Sequence, residues 1–269
     1  MVQALTTILV LAVLVASPAH AADDGDVHAA YETYAAGLQV ATVEASFGLG
    51  PWSYQVQLAY RTTGVFGFFF EGHQVNGVTG SWDNDRPMPL AFFGDGVWRG
   101  VHRITLIDYE HGQPLIRSLV PPNEAERQDV PPELVANTID SLSALAKLLH
   151  QVAAKGKCET TVRTYDGRRL TEVAAHTVGI ETLEPSELSI FNGPALRCNF
   201  EGRMLAGFML GDSDETRGRR LHGSAWLAKV VPGAAPMPVR ITFETRWFGD
   251  ATMYLTHAAA GPSPAPAAN

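Results

Sequence analysis

The sequence predicts a mainly β fold: a strongly curved antiparallel sheet, forming a half-open barrel, with one inserted amphipathic helix on its concave side. Three observations predict it. Apolar and polar residues alternate with a period of two along most of the chain, turn signals separate the alternating segments, and a single long segment has helical periodicity. Strands with one buried face and one wet face show this alternation and are typical of antiparallel sheets.

The first 21 residues are predicted to be a secretory signal peptide. The apolar segment Leu5–Ala16 is followed by Ser17-Pro18 and by the small-x-small cleavage site Ala19–Ala21. No Lys or Arg precedes Arg61, so the usual positive n-region is either absent or lies upstream of a wrongly assigned start. The apolar segment is shorter than the roughly 20 residues that span a bilayer. We therefore expect an exported protein, periplasmic in location and not membrane-spanning.

Residues 22–257 are predicted to form one β-rich domain. Two alternating segments place their large apolar residues on one face, and these are predicted to be buried: Tyr54, Val56, Leu58 and Tyr60 in the first, Val239, Ile241 and Phe243 in the second. Asp-Gly or Gly-Asp pairs that predict tight turns occur at Asp95-Gly96, Asp166-Gly167 and Gly249-Asp250.

A helix is predicted over residues 138–155. Its apolar residues recur at helical spacing and form one face: Ile139, Leu142, Leu145, Leu149 and Val152. Asn137 or Thr138 is the expected N-cap, and Gly156 suits the end of the helix. The preceding segment 121–132 is bracketed by proline pairs and is predicted to be a mobile loop, the natural hinge if the helix moves. Residues 258–269 hold mostly Ala, Pro, Gly and Ser, and are predicted to be a disordered tail.

Charge and cysteine content limit the function classes. The formal net charge of −8 argues against nucleic-acid binding, and against docking on anionic lipid by charge. The two cysteines, Cys158 and Cys198, are predicted to form a disulfide between neighbouring strands, because disulfides persist outside the cytoplasm. The alternative is a pair of buried free thiols.

The sequence contains none of the common catalytic motifs. It has no G-x-S-x-G, H-E-x-x-H, C-x-x-C, P-loop or dinucleotide-binding pattern, and its nine histidines lack metal-ligand spacing. The acidic clusters Asp83–Asp85 and Asp212–Glu215 lack the Gly and distal Glu of a calcium loop. We therefore expect no catalytic residues, no metal, no cofactor and no enzymatic activity.

The aromatic segment Val65–Phe70 has bulky residues on both faces, so both faces need cover. In the structural interpretation the helix provides this cover. In the functional interpretation the concave side of the sheet binds an apolar ligand, in an apolar pocket of at least about 300 Å³ between helix and sheet. The residues predicted to line such a pocket are Phe68, Phe70, Leu142, Leu145 and Leu149.

Five groups of residues, in an order and spacing that cover Tyr31 to about Leu255, resemble the bacterial family called domain of unknown function 3108. The groups are Tyr34–Ala41; Thr138–Leu145; Cys158 with Tyr165–Arg169; Asn192–Cys198 with Ala206–Phe208; and Pro238–Ile241 with Phe248-Gly249. The segment Trp82–Trp98 departs from the family pattern, with more aromatic residues and turns.

The resemblance implies a signal-bearing periplasmic protein with a half-barrel fold similar to that of periplasmic lipoprotein carriers. It carries over no catalytic residues. The leading hypothesis is therefore a monomeric, non-catalytic binding or carrier protein for an apolar ligand, such as a lipid, an acyl chain or a lipoprotein anchor. One alternative is a structural or envelope-assembly factor with a filled core that binds another protein. Another is a hydrolase with an unrecognised site.

Overall fold

The computed structural model describes residues 26–64, 67, 71–245 and 249–261. The predicted signal peptide lies outside these ranges, as do Phe68 and Phe70. The helices are α1 (Pro132–Val135), α2 (Ser141–Lys155) and α3 (Asp214–Gly218). The strands are β1 (Val27–Ala35), β2 (Leu38–Leu49), β3 (Ser53–Thr62), β4 (Gly72–Asp83), β5 (Arg86–Trp98), β6 (Val101–Glu110), β7 (Gln113–Val120), β8 (Thr160–Tyr165), β9 (Leu170–Leu183), β10 (Gly193–Ala206), β11 (Arg220–Ala228), β12 (Met237–Glu244) and β13 (Asp250–Ala260).

All 13 strands belong to one antiparallel sheet in the order β7-β6-β5-β4-β3-β2-β1-β13-β12-β11-β10-β9-β8. Eleven of the twelve strand pairings in the described ranges join strands consecutive in the chain. The exception is β1 with β13, where Val27 pairs with Ala260. Strands β7 and β8 form the two edges and do not pair in this sheet, so it is not closed into a barrel. The predicted mainly β, half-open fold is confirmed.

The predicted registers are confirmed. In β3, Tyr54 and Val56 are buried, Leu58 and Tyr60 are half-buried, and Gln55 is exposed. In β12, Val239 is buried and Ile241 and Phe243 are half-buried, while Glu244 is exposed. The inner face also carries a buried row of mutually paired residues across four strands, Val56, Val78, Phe92 and Ile107.

One of the turn predictions is wrong. Asp95 and Gly96 lie within β5, where Gly96 pairs with Gln74 on one side and Arg103 on the other. A Cβ on Gly96 would lie 2.6 Å from the Cα of Gln74, so glycine permits a close approach of two backbones here. The turn at Asp166-Gly167 is confirmed, and Gly167 has the positive φ of 86° that favours glycine.

Helix α2 begins at Ser141, three residues later than the sequence predicts. Asp140 is the N-cap rather than Asn137 or Thr138, because its carboxylate accepts a hydrogen bond of 2.8 Å from the backbone N–H of Ser143. Asn137 instead has a left-handed φ of 59°. The helix ends at Gly156 as predicted. It contacts strands β2–β5 and β8 through a buried face: Leu142, Ala146, Leu149 and Val152.

The predicted disulfide between Cys158 and Cys198 is confirmed, with 6.0 Å between the two Cα atoms. The strands that it joins differ from the prediction. Cys198 lies on β10, but Cys158 lies two residues before β8, where its N–H donates to the Thr177 hydroxyl of β9. Thr177 pairs with Cys198, so the bridge ties the end of the helical segment to β10 across β9.

Two further segments differ from the prediction. Segment 121–132 is predicted to be a loop little constrained by packing, but two backbone hydrogen bonds of 2.9 Å hold it. The N–H of Gln128 donates to the Phe208 carbonyl, and the N–H of Leu210 donates to the Glu126 carbonyl. These bonds fasten the segment to the chain after β10. The last strand also extends to Ala260, so residues 258–260 of the expected tail belong to the sheet. None of the helices in the described part of the chain is long and apolar enough to cross a membrane.

Candidate functional site

The helix residues predicted to line a ligand pocket lie in the core. Leu142 and Leu149 are buried against the sheet, and Leu145 is half-buried beside them. They do not line the three cavities described below. These three side chains therefore pack between helix and sheet.

A buried polar network joins the first turn of α2 to the sheet. The Ser143 hydroxyl donates to the Asp140 carboxylate at 2.6 Å and lies 2.7 Å from the Tyr54 hydroxyl of β3. Burial raises the pKa of Asp140 above its ordinary value, although the hydrogen bonds from Ser143 oppose this. Burial likewise raises the pKa of Tyr54. The network fixes the helix start and has no exposed nucleophile, because Asp140 and Ser143 are fully buried.

The other end of α2 is also fastened. The His150 ring stacks on Trp82 of β4 with 4.3 Å between ring centroids. The Lys155 ammonium donates to the Asp85 carboxylate at 2.6 Å, which lowers the pKa of Asp85. Polar contacts at both ends hold the helix against the sheet, in addition to its apolar face.

The largest of these cavities, about 870 Å³, lies beside the start of α2. Inward-facing residues of β3–β6 form one wall, and segment 125–127, the β8–β9 turn and Met209-Leu210 form the other. The apolar part of the lining includes Tyr60, Phe92, Trp98, Val101, Met209 and Leu210. The volume exceeds the roughly 300 Å³ expected of a carrier pocket. The lining is mixed, however, whereas an apolar pocket was predicted.

The inner face of β5 contributes Phe92 and Trp98 to this cavity. Phe92, Gly94, Gly96 and Trp98 lie at alternate positions, so two of four inward positions have no side chain. At Gly94 a Cβ would lie 2.7 Å from Asn76 Oδ1. The positions above these glycines are therefore filled from β4, by the Gln74 and Asn76 side chains at Gly94 and by the His73–Gln74 backbone at Gly96. Gln74 donates to Asn76 at 2.7 Å.

Arginines dominate the polar lining: Arg99, Arg103, Arg127, Arg168 and Arg169. Glu126 and Asp166 are the carboxylates that accompany them, so the lining has an excess of three positive charges in a chain with a net charge of −8. Arg103 makes a bidentate pair with Glu126, with N–O distances of 2.6 and 2.8 Å. Arg169 pairs with Asp166 at 2.6 Å.

Arg168 and Arg127 have different partners. Arg168 donates from Nη2 to the Val120 carbonyl at 2.8 Å, and Arg127 donates from Nη1 to the Gly207 carbonyl at 2.8 Å. Nη1 of Arg168 is buried and has no hydrogen-bond partner in the described ranges. Burial lowers the pKa of both guanidiniums, and neighbouring arginines lower it further. The Arg103 side chain in turn lowers the pKa of Glu126.

Two smaller cavities lie elsewhere. One of about 490 Å³ borders β9–β12, where the Arg197 guanidinium lies 5.1 Å from the centroid of the Trp226 ring. The other, of about 390 Å³, lies between the β5 segment 86–89 and the outer side of α2 at Lys147. Within the ranges that the structure describes, no group of three or more His, Cys, Asp or Glu side chains could hold a metal ion.

The five arginines of the lining, called the arginine wall below, are not predicted from the sequence as a site: Arg99, Arg103, Arg127, Arg168 and Arg169. Arg168 and Arg169 belong to the turn that resembles the family, and no sequence pattern assigns Arg103 or Arg127 to a site. The signal available was weak: Gly94 and Gly96 at alternate positions indicate a bare strip on one face of a strand. Which residues face that strip depends on the curvature of the sheet.

Comparisons with known proteins agree with this fold. No curated protein matches the sequence. A solved structure from Brucella abortus, described as a beta-barrel-like protein of domain of unknown function DUF1849, is 10% identical, with a TM-score of 0.51, and the match covers 89% of this chain and 99% of that one. At this identity the likeness shows the fold alone. The family model described as "Protein of unknown function (DUF3108)" matches residues 30–256, so the chain belongs to the DUF3108 family.

Proposed function

We propose that this protein is an exported, periplasmic binding or carrier protein, without catalytic activity, for a molecule with an apolar chain such as a lipid, an acyl chain or a lipoprotein anchor. The observation that carries the proposal is the cavity of about 870 Å³ beside the start of α2. Its size falls within the range of about 300–1,000 Å³ that small-molecule sites occupy. Apolar side chains from the sheet and from Met209-Leu210 provide contacts for an alkyl chain.

The side chains in and near the cavity also favour binding over catalysis. The buried Asp140–Ser143–Tyr54 network could resemble a catalytic relay, but its side chains are enclosed between helix and sheet. The arginines that line the cavity are poor general bases, since a guanidinium stays protonated near neutral pH. These groups can hold a ligand in place more readily than they can transfer its protons.

Ligand copurification tests the proposal. We expect an organic extract of the purified protein to contain a lipid or acyl compound by mass spectrometry, and a fluorescent fatty-acyl probe to bind the extracted protein. Trp98→Ala should weaken probe binding, because Trp98 lines the cavity. Trp52→Ala is the matched control, since Trp52 is 80% exposed and outside the cavity lining. An empty extract together with no probe binding would contradict the proposal.

The alternative, a structural or assembly factor that binds another protein, is favoured by a different observation. Val178 and Ile180 lie two residues apart in β9 and are 52% and 69% exposed. Exposed apolar side chains that cluster can mark a protein contact. Polar substitution of Val178 and Ile180 should abolish capture of a partner if this alternative holds, and should leave probe binding unchanged if the carrier proposal holds.

A further inference from the structure

The arginine wall of the large cavity is unevenly compensated. Two of its arginines, Arg103 and Arg169, have carboxylate partners. Within the described ranges no carboxylate lies at ion-pair distance from Arg127 or Arg168, whose hydrogen bonds go to backbone carbonyls. The cavity thus contains two cationic side chains without a direct carboxylate partner in the described ranges, which Glu126 and Asp166 attract only from a distance.

Arg168 shows this most clearly, because it is only 8% exposed. A buried charged group is costly unless it is paired and hydrogen-bonded. Nη1 of Arg168 has no partner among the described residues, and Arg103 and Arg169 add like charge nearby. A ligand oxyanion at this wall would compensate that charge.

We propose that the arginine wall binds an oxyanion, a phosphate or a carboxylate, that is the head group of the amphiphile carried in the cavity. Guanidiniums suit this role because their N–H groups form a planar fork that matches both anions. The carboxylates of Glu126 and Asp166 hold Arg103 and Arg169 in position, and the Val120 and Gly207 carbonyls hold Arg168 and Arg127. The site is therefore formed before the ligand arrives.

The apolar lining gives the orientation of the ligand. Phe92 and Trp98 lie on β5 and Met209-Leu210 on the opposite wall, while Arg168 and Arg127 project from the β8–β9 turn and from segment 125–127. The head lies against the arginines and the chain extends over the inner face of β5. This orientation rests on the proposed carrier function, whereas the anion site itself does not.

The test measures binding of three probes to the lipid-extracted protein by calorimetry. Dodecyl phosphate has the anionic head and the chain, dodecyl maltoside has the same chain with a neutral head, and inorganic phosphate has the anion alone. We expect dodecyl phosphate to bind at least about tenfold more tightly than the maltoside, which corresponds to one charge-assisted hydrogen bond. Its affinity should also fall as salt is raised.

The variants are Arg168→Gln and Arg127→Gln, with Arg61→Gln as the matched control. Arg61 is exposed and follows the cavity residue Tyr60 on β3, so its side chain is on the other face of the strand. Each cavity variant should lower the affinity for dodecyl phosphate about tenfold and leave maltoside binding unchanged. If Arg168→Gln does not fold, Arg127→Gln and the salt dependence of the unsubstituted protein carry the test.

The outcomes distinguish failure of the anion site from failure of the carrier function. Equal affinity for the phosphate and maltoside amphiphiles, with no salt dependence, would support the carrier function and overturn the anion site. Inorganic phosphate binding that Arg168→Gln abolishes, with no gain from the alkyl chain, would support the anion site and contradict the carrier function. Binding of none of the probes would overturn both.

Discussion

Removing the disulfide should lower the free energy of unfolding by about 4 kcal/mol. Cys158 and Cys198 are 40 residues apart in the chain, and in the chain-entropy model a closed loop of that size removes about 13 cal/mol/K from the unfolded state. At 25 °C this corresponds to about 4 kcal/mol. The bridge has this effect because it restricts the unfolded chain between the end of α2 and β10.

The measurement is urea unfolding of the Cys158→Ala/Cys198→Ala double variant beside the oxidised protein. Alanine is preferred to serine because both sites are fully buried and a hydroxyl there would add an unpaired polar group. The slope of unfolding free energy with urea should rise in the variant, since its unfolded chain exposes more surface. A loss below about 1 kcal/mol would refute the entropic reasoning.

The burial of both sulfur atoms gives an independent check. A thiol reductant must reach a sulfur atom to attack it, and neither half-cystine is accessible in the folded protein. We therefore expect the oxidised protein to resist reduction in native buffer and to be reduced rapidly in urea. Equally rapid reduction in both conditions would show that the segment around Cys158 opens without global unfolding.

Three further predictions concern helix α2 and strand β5. Because burial raises the pKa of Asp140, the folded protein binds the proton of this carboxyl group more tightly than the unfolded chain does. The stability that this proton contributes is therefore present at low pH and is lost as pH rises from about 3.9 through the raised pKa. Over this window, urea unfolding should show that the free energy of unfolding of Asp140→Asn rises relative to that of the unsubstituted protein, and a pH-independent difference would contradict the prediction. Leu149→Ala should cost about 2–5 kcal/mol because Leu149 is fully buried, whereas Ile180→Ala, at a site 69% exposed, should change the unfolding free energy by less than about 0.5 kcal/mol; similar losses in the two would refute the packing argument. Gly96→Ala should cost about 1–3 kcal/mol, since its Cβ would meet the Gln74 backbone, while Gly202→Ala on β10, whose nearest neighbour would be 3.8 Å away, should be close to neutral in thermal unfolding.

The features of the fold that depend on local periodicity could be predicted from the sequence. Alternation gave the buried face of β3, and helical spacing gave the face of α2 with Leu142 and Leu149. The errors arise where a distant backbone decides the outcome. Asp95-Gly96 has the sequence of a turn, but the close approach of Gln74 places it inside a strand. The N-cap of α2 is Asp140 because its carboxylate accepts hydrogen bonds from the backbone N–H and the hydroxyl of Ser143. The same hydroxyl lies within hydrogen-bond distance of Tyr54 on β3.

The cavity could not be predicted for the same reason. Arg103, Arg127 and Arg168 lie on a strand, a connecting segment and a hairpin turn that are far apart in the chain. Alternation assigns each side chain to a face of its own strand. Alternation does not predict which parts of the sheet approach one another when the sheet curves. Neither the charge of the cavity nor the residues that face each other across it could therefore be predicted from the pattern.

The pairing of β1 with β13 has a consequence for the order in which the sheet is assembled. Strands β1–β7 and β8–β13 are two meanders that hairpins can build locally, and among the described strands the β1–β13 pairing joins them into one sheet. During synthesis β1 emerges before the other strands that the structure describes, while β13, which completes its second edge, emerges after them. Loss of either terminal strand would leave two separate meanders, each with an unpaired edge open to association with other chains. The integrity of the sheet thus depends on the first and the last of its described strands, neither of which lines the cavity.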